Sequence, residues 1–403
     1  MSVLRIYSAN FPYGFGESFF LNEYPYLHDK FQKVYIHPYA KLKSRQNNFE
    51  FWDNVDFIEQ DNRQKSSFKS FIFICRLYLE ELRHSQNKRH FLKHALLHLS
   101  TLKKAYNMGN TLLEKGLKKD DLCYSFWMND WALTLAILKR RGKINKFVFR
   151  VNGFDIWNDR NPGNYIPFRH FIYAQCNKVY ALSNTSAEYL KRLEIFPDKI
   201  QTAYFGTRDF GMIEKSQDSK FVIFSNSSAI PIKRLDKIAQ SITELNFPVH
   251  WHHHGEGETL TTVRDIISSS KNNNIIEFTN SNKVSNYEEV IELMKKMSPD
   301  LFINLSSTEG LPVSAIEALS CGIPLLLNDV GSCSELITPN TGVLVKKDSS
   351  VLDIAKVIVN FKEENFAYKN QSKIREFWKN QFSANKNYSE FVDELKEIYE
   401  SKK

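Results

Sequence analysis

SSTEGLPVSAIEALSCGIPLLL occupies residues 306–327. The run DLFINL stands before it and GIPLLLN closes it, and both read as strands. The sum is strand, tight loop, helix, strand, the unit with which α/β proteins hold phosphorylated ligands beyond the C-terminal ends of their strands. Gly310 ends the loop and permits a close backbone approach. Pro312 suits a first helical turn, where its missing N–H is not needed. The free amides of that turn carry partial positive charge and suit a phosphate or diphosphate. Two carboxylates, Glu309 and Glu317, stand eight positions apart around this turn. Glu309 is expected at the loop edge, and Glu317 within the helix as an acceptor for ribose hydroxyls. The plainer alternative is a solvated Glu309 and a helix-surface Glu317.

Outward from this stretch the alternation continues. In the second half, strands FVIFSNS, VHWHHHG, IIEFTN, DLFINLS and PLLLND alternate with helices RLDKIAQSITEL, TLTTVRDIISSS, EEVIELMKK and PVSAIEALS. This order predicts a parallel sheet wound with helices on both faces. In the first half VLRIYSA, KVYIHPYA, DLCYSFWM, KFVFRVNG and KVYALS read as strands. Between the halves YFGTRDFGMIEKSQDSK (204–220) is polar and aperiodic, and reads as a linker. The expected domains are therefore 1–205 and 206–385, with a last amphipathic helix over 386–403.

The 403 residues exceed one ordinary core and suit two domains. Hydrophobic content of 42% with 25% charged residues is that of a globular enzyme. The start MSVLRIYSANFPYG lacks the long apolar core of a signal peptide, and FIFICRLYL is interrupted by Arg76. The chain is thus expected in the cytoplasm. Five scattered cysteines without a C-x-x-C pair read as reduced thiols. The net charge of +8 is concentrated: residues 61–120 hold 13 Lys and Arg against 5 Asp and Glu. This Leu-, Phe- and Lys-rich helical block reads either as a face for an anionic membrane surface or an acidic lipid-linked substrate, or as two ordinary helices with solvated charges. Zinc-ligand spacing, RNA-binding signatures and helix-turn-helix patterns are missing, so nucleic acid is not an expected partner.

Four further constellations stand at strand ends. SNSSAIPIKRLDKI puts Lys233 and Arg234 at a loop-to-helix junction, where cations could neutralise a diphosphate, although taken by itself the motif reads better as two surface cations. WHHHGEG places His252 and His254 on one strand face and His253 on the other. With no further ligand cluster a metal is not expected, and Gly255 and Gly257 are read as letting a ligand approach. NFPYGFGESFF carries Gly14 and Gly16 after the first strand, a partial glycine-rich loop. FRVNGFDIW runs a strand into Asn152, Gly153 and Asp155, with Arg150 and Asp155 as a candidate structural pair.

Together these residues resemble a retaining glycosyltransferase of the GT-B group often called family 4, and are closest to bacterial members that build surface polysaccharides. The E-x7-E element is Glu309–Glu317 within EGLPVSAIEALSCGIPLL. Softer matches are GESFFLNEYPYL, RVNGFD, YIPFR, PIKRLD, HHGEG and NYSEFVDEL. The resemblance implies two Rossmann-like domains facing each other across a cleft, an acceptor-binding first and a nucleotide-sugar-binding second. The last helix is expected to pack back on the first domain. It further implies that Lys233 binds the donor diphosphate, Glu309 the donor sugar and Glu317 the ribose, with amides near Gly310 and Leu311 on the phosphates. Gly16, Gly255 and Gly257 would face the donor.

Two positions depart from the family. Ser228 stands five before Lys233, where relatives often carry Arg, and Arg234 is the candidate to compensate. Asn152 stands where relatives read His, near the transferred sugar. The expected reaction moves a sugar from a nucleotide-diphosphate sugar to a saccharide or lipid-linked acceptor by same-face attack, with no metal required. Lys233 and the helix amides would stabilise the leaving group, at about 3 kcal/mol per well-placed donor. The alternatives are a catalytically silent sugar-nucleotide-binding or assembly protein on this fold, and a nucleotide-sugar epimerase or phosphorylase.

Overall fold

Val3–Ser8 and Phe221–Asn226 are buried at nearly every position. Such strands are covered on both faces, as a parallel sheet between helices requires. A computed structural model describes residues 2–13, 17–39, 55–57, 68–214, 220–281 and 287–401. The chain divides into two compact units: Met1–Tyr204 with Ser389–Lys403, and Phe205–Tyr388.

The first unit is built on seven parallel strands: β1 (Val3–Ser8), β2 (Lys33–Pro38), β3 (Val55–Phe57), β4 (Leu122–Ser125), β5 (Lys146–Val151), β6 (Lys178–Ala181) and β7 (Ile200–Thr202). Their order is β3-β2-β1-β4-β5-β6-β7. The second has six: β8 (Phe221–Asn226), β9 (Val249–His254), β10 (Ile276–Ser281), β11 (Leu301–Asn304), β12 (Leu325–Asn328) and β13 (Gly342–Val345), in the order β10-β9-β8-β11-β12-β13. Each order reverses once, between β1 and β4 and between β8 and β11. Loops leaving neighbouring strands at such a reversal diverge and open a crevice at the strand ends. Glu309 lies in the loop after β11, and Lys233 in the loop after β8.

The helices have ordinary causes. Asn129 accepts from the Trp131 amide at the start of Asp130–Arg140, and Ser183 caps Asn184–Arg192. Ser350 and Asp353 form a reciprocal capping box at Val351–Glu363. Among the described residues no helix is long and apolar enough to cross a membrane.

The segment after Tyr204 differs from a free linker. Phe205, Thr207 and Ile213 are buried. Thr207 pairs with Ser383 in a β-bridge and accepts from the Trp378 indole at 2.8 Å. Asp209 binds Arg375 at 2.8 Å, and the Ile213 carbonyl accepts from Gln371. Residues 215–219 of the expected linker lie outside the described residues. The short strands β3, β7 and β13 were not read from the sequence.

Candidate active site

The β8–β11 reversal explains why two loops far apart in sequence meet. β8 and β11 pair in parallel with Leu301 opposite Ile223 and Phe302 opposite Phe224. The loops that follow are stitched: the Ser307 amide donates to the Ile232 carbonyl at 2.8 Å. Lys233 ends a single 3-10 turn, Pro231–Lys233, and Arg234 at φ 54° turns the chain into the helix Leu235–Thr243. Lys233 Nζ then lies 2.6 Å from Glu309 Oε1. The two side chains are 23% and 12% exposed, so the pair is largely withdrawn from water.

Asn304, the last residue of β11, holds the carboxylate from the other side: its Nδ2 donates to Glu309 Oε1 at 3.2 Å. Its Oδ1 accepts from the Ser306 amide and hydroxyl at 2.9 and 2.6 Å. Asn328, at the end of β12, donates to the Leu305 and Ser306 carbonyls. Gly331 completes the loop's support: it has φ 59°, and a Cβ there would lie 2.0 Å from the Glu309 carbonyl oxygen. Cys333 sits close by. Burial pushes its thiol up to about 12, with the carboxylates of Glu309 and Asp329 adding and Lys233 opposing.

The helix after the loop is Val313–Ser320, entered through Pro312 in an extended conformation. Its first bonds run from Ala315 and Ile316 to the Pro312 carbonyl. The amides of Val313 and Ser314 therefore head the helix without an intrahelical acceptor. Gly310 receives the Ser332 amide on its carbonyl, and Leu311 is buried. Glu317 lies on the second turn and is 4% exposed, so the surface alternative for it is excluded.

The other expected site residues separate into groups. Ser228 is exposed, in the same loop as Lys233. Arg234 does not join the Lys233–Glu309 pair as a compensating cation: its Nη1 donates to the Lys347 carbonyl at 2.7 Å. Gly255 and Gly257 answer to the chain itself. A Cβ on them would lie 1.9 Å from the Ser227 carbonyl oxygen and 2.2 Å from that of Ala229. Their φ values of 136° and 151° likewise favour glycine. Both tie the β9 loop to the β8 loop. Gly16 lies outside the described residues.

The histidines of β9 alternate as the strand period requires. His252 meets Thr279 and Ser281, and His254 meets Ser281, all at 2.8 to 2.9 Å. His253 takes the other face, 2.9 Å from Ser225, which also accepts from the Trp251 indole. Among the described residues no group of three or more His, Cys, Asp or Glu is arranged to hold a metal ion.

In the first unit Asn152 is half-buried, and Asp155 organises its turn. Asp155 Oδ1 accepts from the Asn152 and Gly153 amides at 2.8 and 3.0 Å, and Oδ2 from the Met128 amide at 3.1 Å. Burial still raises its carboxyl above the usual range. Arg150 is not its partner. The guanidinium is fully buried against Glu23 at 3.2 Å, the Tyr124 hydroxyl and the Ala203 carbonyl. Glu17 does the comparable work at the end of β1, accepting from the Ala9, Asn10 and Phe11 amides and the Trp127 indole.

Comparison with known proteins now bears on this geometry. Residues 209–381 match the model of the glycosyl transferases group 1 family. The matched region contains Lys233, Glu309 and Glu317. The chain is 42% identical over 93 residues to the O-antigen biosynthesis glycosyltransferase WbnH of Escherichia coli, and equally to the probable O-antigen biosynthesis glycosyltransferase WbiN of the same organism. Those matches cover 23% of this chain and 24% of each relative, so the chain spans about a quarter of the length of the curated relatives it matches. Over its full length it shares a fold with Anabaena Alr3699/HepE, solved with UDP: TM-score 0.65, 13% identity, covering 98% of this chain and 99% of the other. The apo lipopolysaccharide outer core galactosyltransferase WaaB gives TM-score 0.67 at 13% identity, with coverage of 98% and 99%. The architecture of the chain is thus the GT-B fold.

Proposed function

We propose that the protein is a retaining glycosyltransferase that moves a sugar from a nucleotide-diphosphate sugar to a saccharide or lipid-linked acceptor in bacterial surface-polysaccharide synthesis. The observation that carries this reading is the Lys233–Glu309 pair at 2.6 Å beside the head of Val313–Ser320. It sets a cation, an acid and free helix amides at one strand-order reversal, the place where α/β folds bind nucleotides. The family match over 209–381 and the O-antigen relatives support the chemistry. HepE, solved with UDP, supports a uridine nucleotide as the first donor to try.

In the reaction the bond between sugar C1 and the diphosphate oxygen breaks, and its electron pair stays on the diphosphate. An acceptor hydroxyl oxygen forms the new bond to C1 on the same face, and its proton passes to the departing phosphate. Lys233 and the amides of Val313 and Ser314 meet the charge that develops on the leaving group. Glu309, held by Asn304, binds sugar hydroxyls, and the buried Glu317 takes the ribose. Asn152 lines the acceptor side, and no metal is needed where cations and a helix terminus do the neutralising. The work is cytoplasmic, at the inner face of the cell membrane.

The test is a panel of nucleotide sugars with release of nucleoside diphosphate as the readout. Turnover with at least one donor is expected, and Glu309→Ala should lower it at least a hundredfold with an unchanged circular dichroism spectrum. Binding of nucleotides without turnover for any donor and acceptor would instead support the silent binding protein.

A further inference from the structure

Where Lys233 can reach depends on how its turn ends, and the residue that ends it has an uncommon backbone. Arg234 has φ 54° and ψ 42°, directly after Pro231–Lys233. This left-handed region crowds the Cβ of every residue but glycine, and an arginine lacks the short polar side chain with which asparagine eases it. Such strain persists where the surrounding structure imposes it, and it gathers at functional sites.

The contacts that impose it lie on both sides. Upstream, the Ile232 carbonyl accepts from the Ser307 amide at 2.8 Å and the Ser307 hydroxyl at 3.2 Å, and the Arg234 amide donates to the Pro231 carbonyl at 3.1 Å. Downstream, the Arg234 carbonyl accepts from the Lys237 and Ile238 amides, and Leu235 and Ile238 are buried, so the helix Leu235–Thr243 starts at a fixed place. The chain must therefore reverse within one residue, which glycine would do with least strain. The arginine supplies what glycine cannot. Its Nη1 donates to the Lys347 carbonyl at 2.7 Å, across 113 positions of sequence. Lys347 stands in the turn between β13 and the helix Val351–Glu363. That turn is itself held, by the Ser349 amide on the Lys346 carbonyl and by the Ser350–Asp353 capping box.

We propose that Arg234 is a positioning residue for Lys233: its left-handed backbone and its guanidinium clip to the turn after β13 fix where Pro231–Lys233 ends, and with it the place of the ammonium opposite Glu309. The assignment rests on the transferase reading above, and it gives a part in donor binding to a side chain that is turned to Lys347. Placement matters because charge-assisted hydrogen bonds are short and directional, and a misplacement of about 1 Å can cost roughly a hundredfold in rate. The clip offsets the strain that arginine brings to a position shaped for glycine.

The test compares three variants of the full-length protein with the wild type, by UDP calorimetry, melting temperature and amide hydrogen exchange. Arg234→Asn keeps a residue that tolerates the left-handed backbone but is too short to reach Lys347. Arg234→Gly removes strain and clip together, so its melting temperature should hold. Arg234→Lys keeps a long cationic donor. The Asn and Gly variants should each weaken UDP about fivefold or more, and the Lys variant should restore most of that loss. The loss should persist in ~1 M salt, where the Debye length is about 3 Å. With no nucleotide present, the Ser307 amide should exchange faster in the Asn and Gly variants. Wild-type UDP affinity in both of them, or wild-type exchange at Ser307, overturns the proposal. So does a loss that vanishes in high salt, since Arg234 would then act as a free charge, or an equal loss in the Lys variant. Failure of the wild type to bind UDP and every other nucleoside diphosphate strikes the transferase reading instead, and Ser307 exchange still decides whether the clip holds the turn.

Discussion

Lys233 and Glu309 neutralise each other, and under the proposed function a donor diphosphate would compete with Glu309 for the ammonium. Glu309→Gln keeps a group that Asn304 can bind but releases Lys233. It should tighten UDP binding several-fold in calorimetry while transfer falls; weaker UDP binding would show that Lys233 does not meet the phosphates. Lys233→Ala should weaken UDP at least tenfold, since a hydrogen bond to a charged group is worth about 1.5–3 kcal/mol. These two residues stood out in the sequence through the family resemblance, since a cation and an acid in loops after strands say little by themselves. Asn304 and Asn328 were less so, because an asparagine at a strand end has no spacing signal and its role appears only when the loop it ties is in place. The same holds for Arg150. Its partner Glu23 is 127 positions away, and the nearer Asp155 is occupied by three backbone amides.

Strands and helices carry their own consequences. The β9 histidines are buried among hydroxyls, and burial first, then neighbouring histidines, pushes His252 and His253 down to about 4. Unfolded, they take protons near pH 6.5. Stability from them is thus fully present above that value and is lost as pH falls toward 4, at about 1.4 kcal/mol per pKa unit of separation. The melting temperature should therefore drop between pH 6.5 and 4, and His252→Gln should flatten that slope; an unchanged slope would mean that other groups set acid sensitivity. The alternation of these side chains was readable from the strand period alone, and so were most strands and helices. What escaped were β3, β7, β13 and the helix Arg169–Gln175, the longer helices Val351–Glu363 and Phe366–Phe382, which the reading passed over between the last strand and the tail, and the true state of the segment after Tyr204. At the other reversal, Glu17→Ala would strip three backbone amides of their acceptor. Buried unpaired donors cost about 1–3 kcal/mol each, so a fall of several degrees in melting temperature is expected, measurable by scanning calorimetry.

At the scale of the whole molecule, the first unit is completed by residues from the far end of the chain. In the helix Ala384–Glu400, Phe391 lies under the Arg150 guanidinium at 3.8 Å and against Tyr124 and Tyr180. Glu394 accepts from Gln201, Asp393 binds Lys30, and the Tyr399 carbonyl accepts from Lys146. Without these contacts the buried Arg150–Glu23 pair would face water along one side. Removing residues 389–403 should therefore destabilise the first unit and spare the second, visible as loss of hydrogen-exchange protection in β4–β6 with that of β8–β12 retained.

The same long-range closure sets an order of events at the ribosome. Nearly 200 residues separate β7 from Phe391, about 10–40 s of synthesis at ordinary elongation rates. During that interval Tyr124, Tyr180 and Arg150 lack Phe391, whereas Phe205–Tyr388 is already whole when Tyr388 emerges. The half of the polypeptide made first is thus the last to mature, and its nascent sheet is the natural client of a chaperone.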